Sequence, residues 1–296
     1  MVVGTKKLRN SKLTNQDKVI KIEVDGHKVI ESDSERLLGV IINNTMTWEN
    51  HLFGNDENKG LIPKLSQRAN IIWKLSRIMP KERLNIIAEG IFFSLLNYCI
   101  EVYGNVWGLS TYDDQNQNSP ALRKEDAMKL QVLMNKVLRS LTGLPRETPV
   151  PTLVARSGQL SVHQRTALFT VVYIYKSLTN REQHYTTSSL ETRPNLSRIS
   201  RHQSNCHSVD YSLSISGGSF MYRGRKLYNQ LPPELVKKAR LMEFKRGAKE
   251  WVKARIPLLP PYLDRPQELG KDNEMFSSVE EFCCAERRCL PSAVDE

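Results

Sequence analysis

Leu37-Leu38-Gly39-Val40, followed by Thr47-Trp48-Glu49-Asn50-His51, stands where the chain changes its period. Upstream, Val19 to Val24 and Lys28 to Ile30 read as strands around an Asp25-Gly26 pair, which supplies the positive backbone angles of a tight hairpin. Arg36 to Ile42 reads as a third strand ending near Leu38-Gly39, and Val2 to Gly4 as a fourth. So small a sheet cannot bury a core alone, and the reading is the edge of a larger one.

Downstream the spacing becomes helical. Leu61, Leu65, Ala69, Ile72, Leu75 and Met79 recur every three to four residues and form one stripe. Pro80 opens a second helix, where its missing amide proton costs little, with an apolar stripe of Leu84, Ile87, Ile91, Leu95, Tyr98 and Val102. After the polar stretch Tyr112 to Asn118, a third helix carries Ala127, Leu130, Met134, Val137, Leu138 and Leu141 and stops at Gly143-Leu144-Pro145. Three such stripes predict a bundle. A further helix spans Ser161 to Leu178, apolar through Leu168, Phe169, Val172, Tyr173 and Tyr175. The polar stretch Thr179 to Ser219 reads as loop, and short helices follow over Phe220 to Asn229, Pro233 to Ala239 and Met242 to Arg255, the last with Phe244, Ala248, Trp251 and Val252 inward. The predicted fold is mainly α: a small antiparallel sheet over 1–52, a helical bundle over 53–146, a second helical domain over 147–262, and an acidic tail over 263–296.

Composition points to a globular chain with a polyanionic partner. The 296 residues are 40% hydrophobic and carry a net charge of +11. Residues 1 to 263 hold 39 Lys and Arg against 23 Asp and Glu, whereas residues 264 to 296 hold 4 against 9. A basic body of this kind attracts polyanions. No run reaches the roughly 18 to 20 apolar residues that span a bilayer. No signal-peptide pattern opens the chain and five cysteines do not suggest secretion, so an intracellular setting is expected.

Three clusters are candidate binding residues. Leu38 and Gly39 sit at a strand end, where a glycine can simply close the strand, and their binding role is what the resemblance given below implies. Lys64, Arg68, Lys74, Arg77, Lys81 and Arg83 are opposed in their interval only by Glu82, and Lys74 and Arg77 lie across from the Leu61 to Met79 stripe. Such a face would neutralise duplex phosphates without reading sequence. Arg193 to Lys226 adds six Lys and Arg, two His and a single acid, Asp210. There Arg198, Arg201, Arg223, Arg225 and Lys226 would take phosphates while Tyr211, Phe220, Tyr222 and Tyr228 stack on bases, although Phe220 and Leu227 equally suit a helical core.

The Leu37 to Val40 segment with Met46-Thr47-Trp48 and His51 resembles the exit from the palm of jockey-like non-LTR retrotransposon reverse transcriptases, where a strand ending in Leu-Gly-Val leads through a Leu/Met-x-Trp-x-x-His turn into a helical thumb. Gln131 to Leu144 fits the same pattern. Ser219 to Gly224, Leu227 to Pro232, Phe244-Lys245 and Lys249-Glu250-Trp251 resemble a C-terminal segment of those proteins more loosely. The resemblance covers about residues 1 to 255. It implies that Leu38-Gly39 belongs to a primer-gripping hairpin and that the partner is RNA or an RNA–DNA hybrid. It also implies that the catalytic aspartates, with the magnesium of the intact polymerase, would stand upstream of Met1. The chain is accordingly expected to be a truncated reverse-transcriptase-like protein of a mobile element, without catalysis or cofactor of its own.

Other patterns are set aside. Tyr112-Asp113-Asp114 lies in a polar loop rather than on a hairpin between apolar strands. Cys283-Cys284 with Cys289 lacks the spacing and histidine of a zinc knuckle, and Cys206-His207 is an isolated pair. His51 reads as a packing or capping group. A helical protein-interaction module without a nucleic-acid role remains the alternative to the binding reading.

Overall fold

A type I′-like turn, rather than a strand end, occupies Leu38-Gly39. The computed structural model describes residues 22–25, 27–29, 32–45, 47–55, 58–105, 122–179, 220–238 and 240–258. In it Ser34–Leu37 (β3) pairs antiparallel with Val40–Asn43 (β4), so the single strand expected over Arg36 to Ile42 is a two-residue hairpin. Both loop residues have positive φ, 48° at Leu38 and 87° at Gly39, which suits the right-handed twist of the flanking strands. Ile22–Val24 (β1) and His27–Val29 (β2) form a separate two-stranded sheet turning at Asp25, where φ is 51°. The fourth strand proposed over Val2 to Gly4 lies outside the described residues.

Beyond the strands the described residues form the helices Glu49–Phe53 (α1), Leu61–Leu75 (α2), Lys81–Ala88 (α3), Ser94–Asn97 (α4), Ile100–Tyr103 (α5), Lys124–Thr142 (α6), Val150–Ser157 (α7), Val162–Thr179 (α8), Phe220–Tyr228 (α9), Pro233–Val236 (α10) and Leu241–Arg255 (α11). The stripe read for α2 is buried from Leu61 to Ile72, and that for α6 is buried throughout; α6 stops at Gly143, whose φ of 74° provides the left-handed cap. The α3 stripe departs from its expected phase. Leu84, Ala88, Phe92, Leu96 and Ile100 are buried, while Tyr98 and Val102 are 49% and 39% exposed. The buried face is already one residue off the expected stripe at Ala88, and a π-helical turn, Glu89–Phe93, follows it. Cys99, with φ of 56°, then breaks the helix before α5.

Two apolar clusters divide the interior. One joins β4, α1 to α7 and the start of α8 through residues such as Leu52, Leu65, Phe92, Leu130, Leu153 and Val162. The other joins the rest of α8 to α9, α10 and α11 through Ala167, Val171, Ile174, Leu227, Phe244 and Val252. The cores therefore divide within α8, not near residue 147, because α7 packs on α6 and α8 reaches into both. Expected as one-sided, α8 is covered on several sides: Ala167, Thr170, Val171, Ile174 and Tyr175 are buried, and Leu168, Phe169, Val172 and Tyr173 partly so.

A polar seam at the start of α8 joins the clusters. Gln131 Oε1 accepts the Val162 amide at 2.8 Å, and Gln164 Nε2 donates to the Ile256 carbonyl at 3.0 Å. Arg165 is buried with its guanidinium 4.2 Å from the Phe93 ring centre, donating to Leu160 O and Asn97 Oδ1, both at 3.2 Å, and to Gln159. Burial lowers its pKa to about 10, with the Glu89 carboxylate opposing that shift. Gly104 lies close by: a β-carbon there would come within 2.3 Å of Ile100 O and 2.6 Å of Thr166 Cγ2. The described residues all belong to a compact unit ending at Leu258.

Candidate nucleic-acid interface

The hairpin tip is solvent-facing and braced from below. Leu38 is 84% exposed, an uncommon position for a large apolar side chain at positive φ. The Tyr98 hydroxyl donates to the Leu38 carbonyl at 2.5 Å, and Tyr98 Cε1 lies 3.5 Å from where a β-carbon on Gly39 would stand. Tyr98 reaches the turn because α4 ends at that residue.

Beneath the turn is a cavity of about 40 Å³, lined by Arg36, Gly39, His51, Lys59, Lys64 and Tyr98 among others, with no acidic residue among the described residues that line it. Lys64 is held below its ordinary pKa by partial burial and then by the charges of Arg36, Arg68 and Lys59. Four cationic side chains from β3, the α1–α2 connection and α2 therefore share one neighbourhood. The α2 helix adds its positive end, starting at Gly60 with no side-chain cap and no acidic residue in its first turn.

The packing role read for His51 is what its surroundings show. His51 is 6% exposed and its ring lies 6.2 Å from that of Trp48 and 5.1 Å from that of Tyr103. The Ile41 amide donates to His51 Nδ1 at 3.4 Å, leaving the proton of the neutral ring on Nε2, a buried atom without a hydrogen-bond partner. Burial, and secondly the Lys64 charge, lower the pKa of this ring to about 4. Asn43 sets the preceding turn, accepting the Thr47 amide at 2.7 Å.

The remaining candidates separate. Arg68 is half-buried and donates to the Ile91 carbonyl in the π-turn, so part of its guanidinium serves the fold. Lys74 is exposed; exposed Arg77 packs 4.1 Å from the Trp73 ring centre. Arg77 lies past the end of α2 at Leu75, so it does not continue a helical face with Lys64. Arg223 and Arg225 are only 4% exposed, which corrects the phosphate role read for them. Arg223 Nη1 donates to the Gly104 carbonyl and, at 3.3 Å, to Asn105 Oδ1, joining α9 to α5. Lys226 packs 4.4 Å from the Tyr222 ring centre, Tyr228 is buried, and Phe220 packs on Tyr173 at 4.9 Å. Arg198, Arg201 and Tyr211 lie outside the described residues, as do Tyr112-Asp113-Asp114, Cys206-His207 and the Cys283 to Cys289 group.

Arg36 and Lys59 escaped the sequence reading. Arg36 stands beside Glu35 and Lys59 beside Glu57, so each looks locally neutralised. Among the described residues no group of three or more His, Cys, Asp or Glu side chains could hold a metal ion, and no helix is long and apolar enough to cross a membrane. Comparison with protein-family models, curated proteins and solved structures finds no match.

Proposed function

We propose that the chain binds RNA or an RNA–DNA hybrid through backbone phosphates, without sequence selectivity, as the resemblance to the palm exit and thumb of a non-LTR reverse transcriptase implies. The observation that carries this reading is the cluster of Arg36, Lys59, Lys64 and Arg68 beneath an exposed hairpin tip. Like charges gathered at one surface repel each other, and a polyanion relieves that repulsion while releasing its counterions. Lys74, about 15 Å along α2 from Lys64, extends the footprint over several phosphates of a strand. Leu38 would press on a sugar or base from the tip.

The role proposed is binding rather than synthesis, in an intracellular setting. Primer extension with magnesium and nucleotides is expected to be negligible, and robust template-dependent synthesis by the purified chain would refute that part. The decisive experiment is fluorescence anisotropy with an RNA–DNA hybrid across a salt series. About four neutralised phosphates give a log–log slope near −4, roughly a hundredfold loss between about 50 and 200 mM salt. A flat profile would remove the electrostatic footprint.

Exposed Ile71, Ile78 and Ile86, at 49%, 78% and 72%, favour a second reading in which α2 and α3 dock a protein. Gel shift against homopolymer RNA separates the two: the phosphate reading requires a shift at low salt, and the docking reading does not.

A further inference from the structure

We propose that the outward face of α11 is a second docking surface for the sugar–phosphate backbone of a nucleic acid, held by Lys245, Arg246, Lys249 and Lys253. It goes beyond the hairpin cluster, because α11 packs in the second apolar cluster and none of the cations assigned above lies on it.

The first observation is the arrangement of charge. At about 100° per residue, Lys245, Lys249, Lys253 and Arg246 fall within one arc of about 100° on α11, and that arc holds no acidic residue. Phe244, Ala248 and Val252 are fully buried, which fixes the helix with its cations outward. Lys245, Arg246 and Lys253 are exposed and Lys249 is half-buried. Glu243 and Glu250 stand beyond one edge of the arc and pair with Arg240 at 4.0 Å and Lys253 at 3.7 Å. Lys245, Arg246 and Lys249 have no ion-pair partner among the described residues.

The second observation is spacing. Lys245, Lys249 and Lys253 follow one another in steps of about 6 Å along the axis, comparable with the separation of successive phosphates on one strand. Like charges four residues apart repel, and a polyanion laid along the row removes that repulsion as it sheds its counterions. Lys237 and Lys238, both exposed, add charge just before α11. They follow α10, which packs so closely that a β-carbon on Gly247 would stand 2.4 Å from Leu235 Cδ1. The third is what the face lacks. A protein partner takes hold of apolar or aromatic anchors and a bilayer takes an apolar helix face, whereas Met242 is the one exposed large apolar side chain of α11. The helix contains no Asn or Gln, and Phe244 and Trp251 are buried or half-buried, so nothing on the face reads bases and the contact is with phosphates.

The test uses the full chain and fluorescence anisotropy with an RNA–DNA hybrid over a salt series. Lys245→Gln with Lys249→Gln and Lys253→Gln is expected to lower affinity about tenfold at about 100 mM salt and to make the log–log slope shallower by about 3. With both surfaces engaged, the wild-type slope approaches about −7 rather than the −4 or so of the hairpin cluster alone. Arg123→Gln, an exposed cation at the start of α6 that faces Glu49 at 3.8 Å, should change neither quantity. Glu243→Gln with Glu250→Gln removes no cation and should raise affinity about threefold, which keeps the proposal falsifiable if the lysine variant unfolds by circular dichroism. Unchanged affinity and slope in the lysine variant overturn the proposal, as does an unchanged glutamate variant where the lysine variant is unfolded. Arg36→Gln with Lys64→Gln judges the hairpin separately: loss there alone keeps the hairpin reading and removes this one, and loss at α11 alone does the reverse. Lysine-dependent attachment to phosphatidylserine vesicles without hybrid binding would give the face to a membrane surface and overturn its assignment to nucleic acid.

Discussion

Arg165 at the start of α8 and Lys64 at the start of α2 are both cations drawn partly out of water, and their surroundings differ in kind. Arg165 is met by Asn97, Gln159, the Leu160 carbonyl and the Phe93 ring, so its charge is satisfied by the protein. Lys64 is met chiefly by other cations. A buried charge ringed by acceptors is an element of architecture; a half-buried charge ringed by like charges is a surface prepared for an anion. The same contrast places Arg223, which joins α9 to the Gly104 carbonyl, with the architecture and Arg36 with the surface.

The largest effect expected on the architectural side is acid destabilisation. His51 and His163 are both buried with pKa values lowered to about 4, desolvation being the leading cause in each and the Pro257 carbonyl partly opposing it at His163. The folded pKa lies below the unfolded value, so the unfolded chain takes up protons first and stability falls as pH drops from about 6.5 toward 4. Chemical denaturation at pH 7 and pH 5 should differ by about 2 kcal/mol per histidine. Equal stabilities would mean that neither ring is held neutral.

Next comes Arg165→Met, which leaves Asn97 Oδ1 and the Leu160 carbonyl without their donor. A loss of about 3 kcal/mol is expected in urea denaturation, with hybrid affinity unchanged once the variant is kept folded. A drop in affinity at full occupancy of the folded state would blur the distinction between the two regions. On the surface side, Arg36→Gln with Lys64→Gln should lower hybrid affinity about tenfold at low salt while leaving stability the same or slightly higher, since mutual repulsion is relieved. Thermal melts run beside the anisotropy titrations check both halves. The smallest effect is that of Arg77→Gln, about twofold in affinity, because the side chain lies beyond the end of α2 and packs on Trp73.

How much was legible depended on how local the cause was. The α2 and α6 stripes, the Gly143 stop and the Phe244, Ala248 and Val252 face followed from spacing, because burial on a regular helix is a matter of period. The α3 stripe slipped by one residue, because Ala88, Phe92 and Leu96 are buried where Ile87, Ile91 and Leu95 were read, and the apolar residues on both faces of that helix fit either phase. The Leu38-Gly39 turn was misread as a strand end, since a leucine at positive φ contradicts the Asn-Gly or Asp-Gly preference of such turns. Arg223 and Arg225 looked like ligands of phosphate because charge in a sequence carries no record of burial.

Residue types and their spacing were enough to establish a mainly helical chain, a basic body and the place where strands give way to helices, since these depend on period and composition alone. Which cations face solvent, which are enclosed, and which meet around His51 was decided by the tertiary structure. Arg36, His51, Lys59 and Lys64 belong to four separate pieces of local structure, and only the packing of the β3–β4 hairpin on α1 and α2 brings them around one cavity.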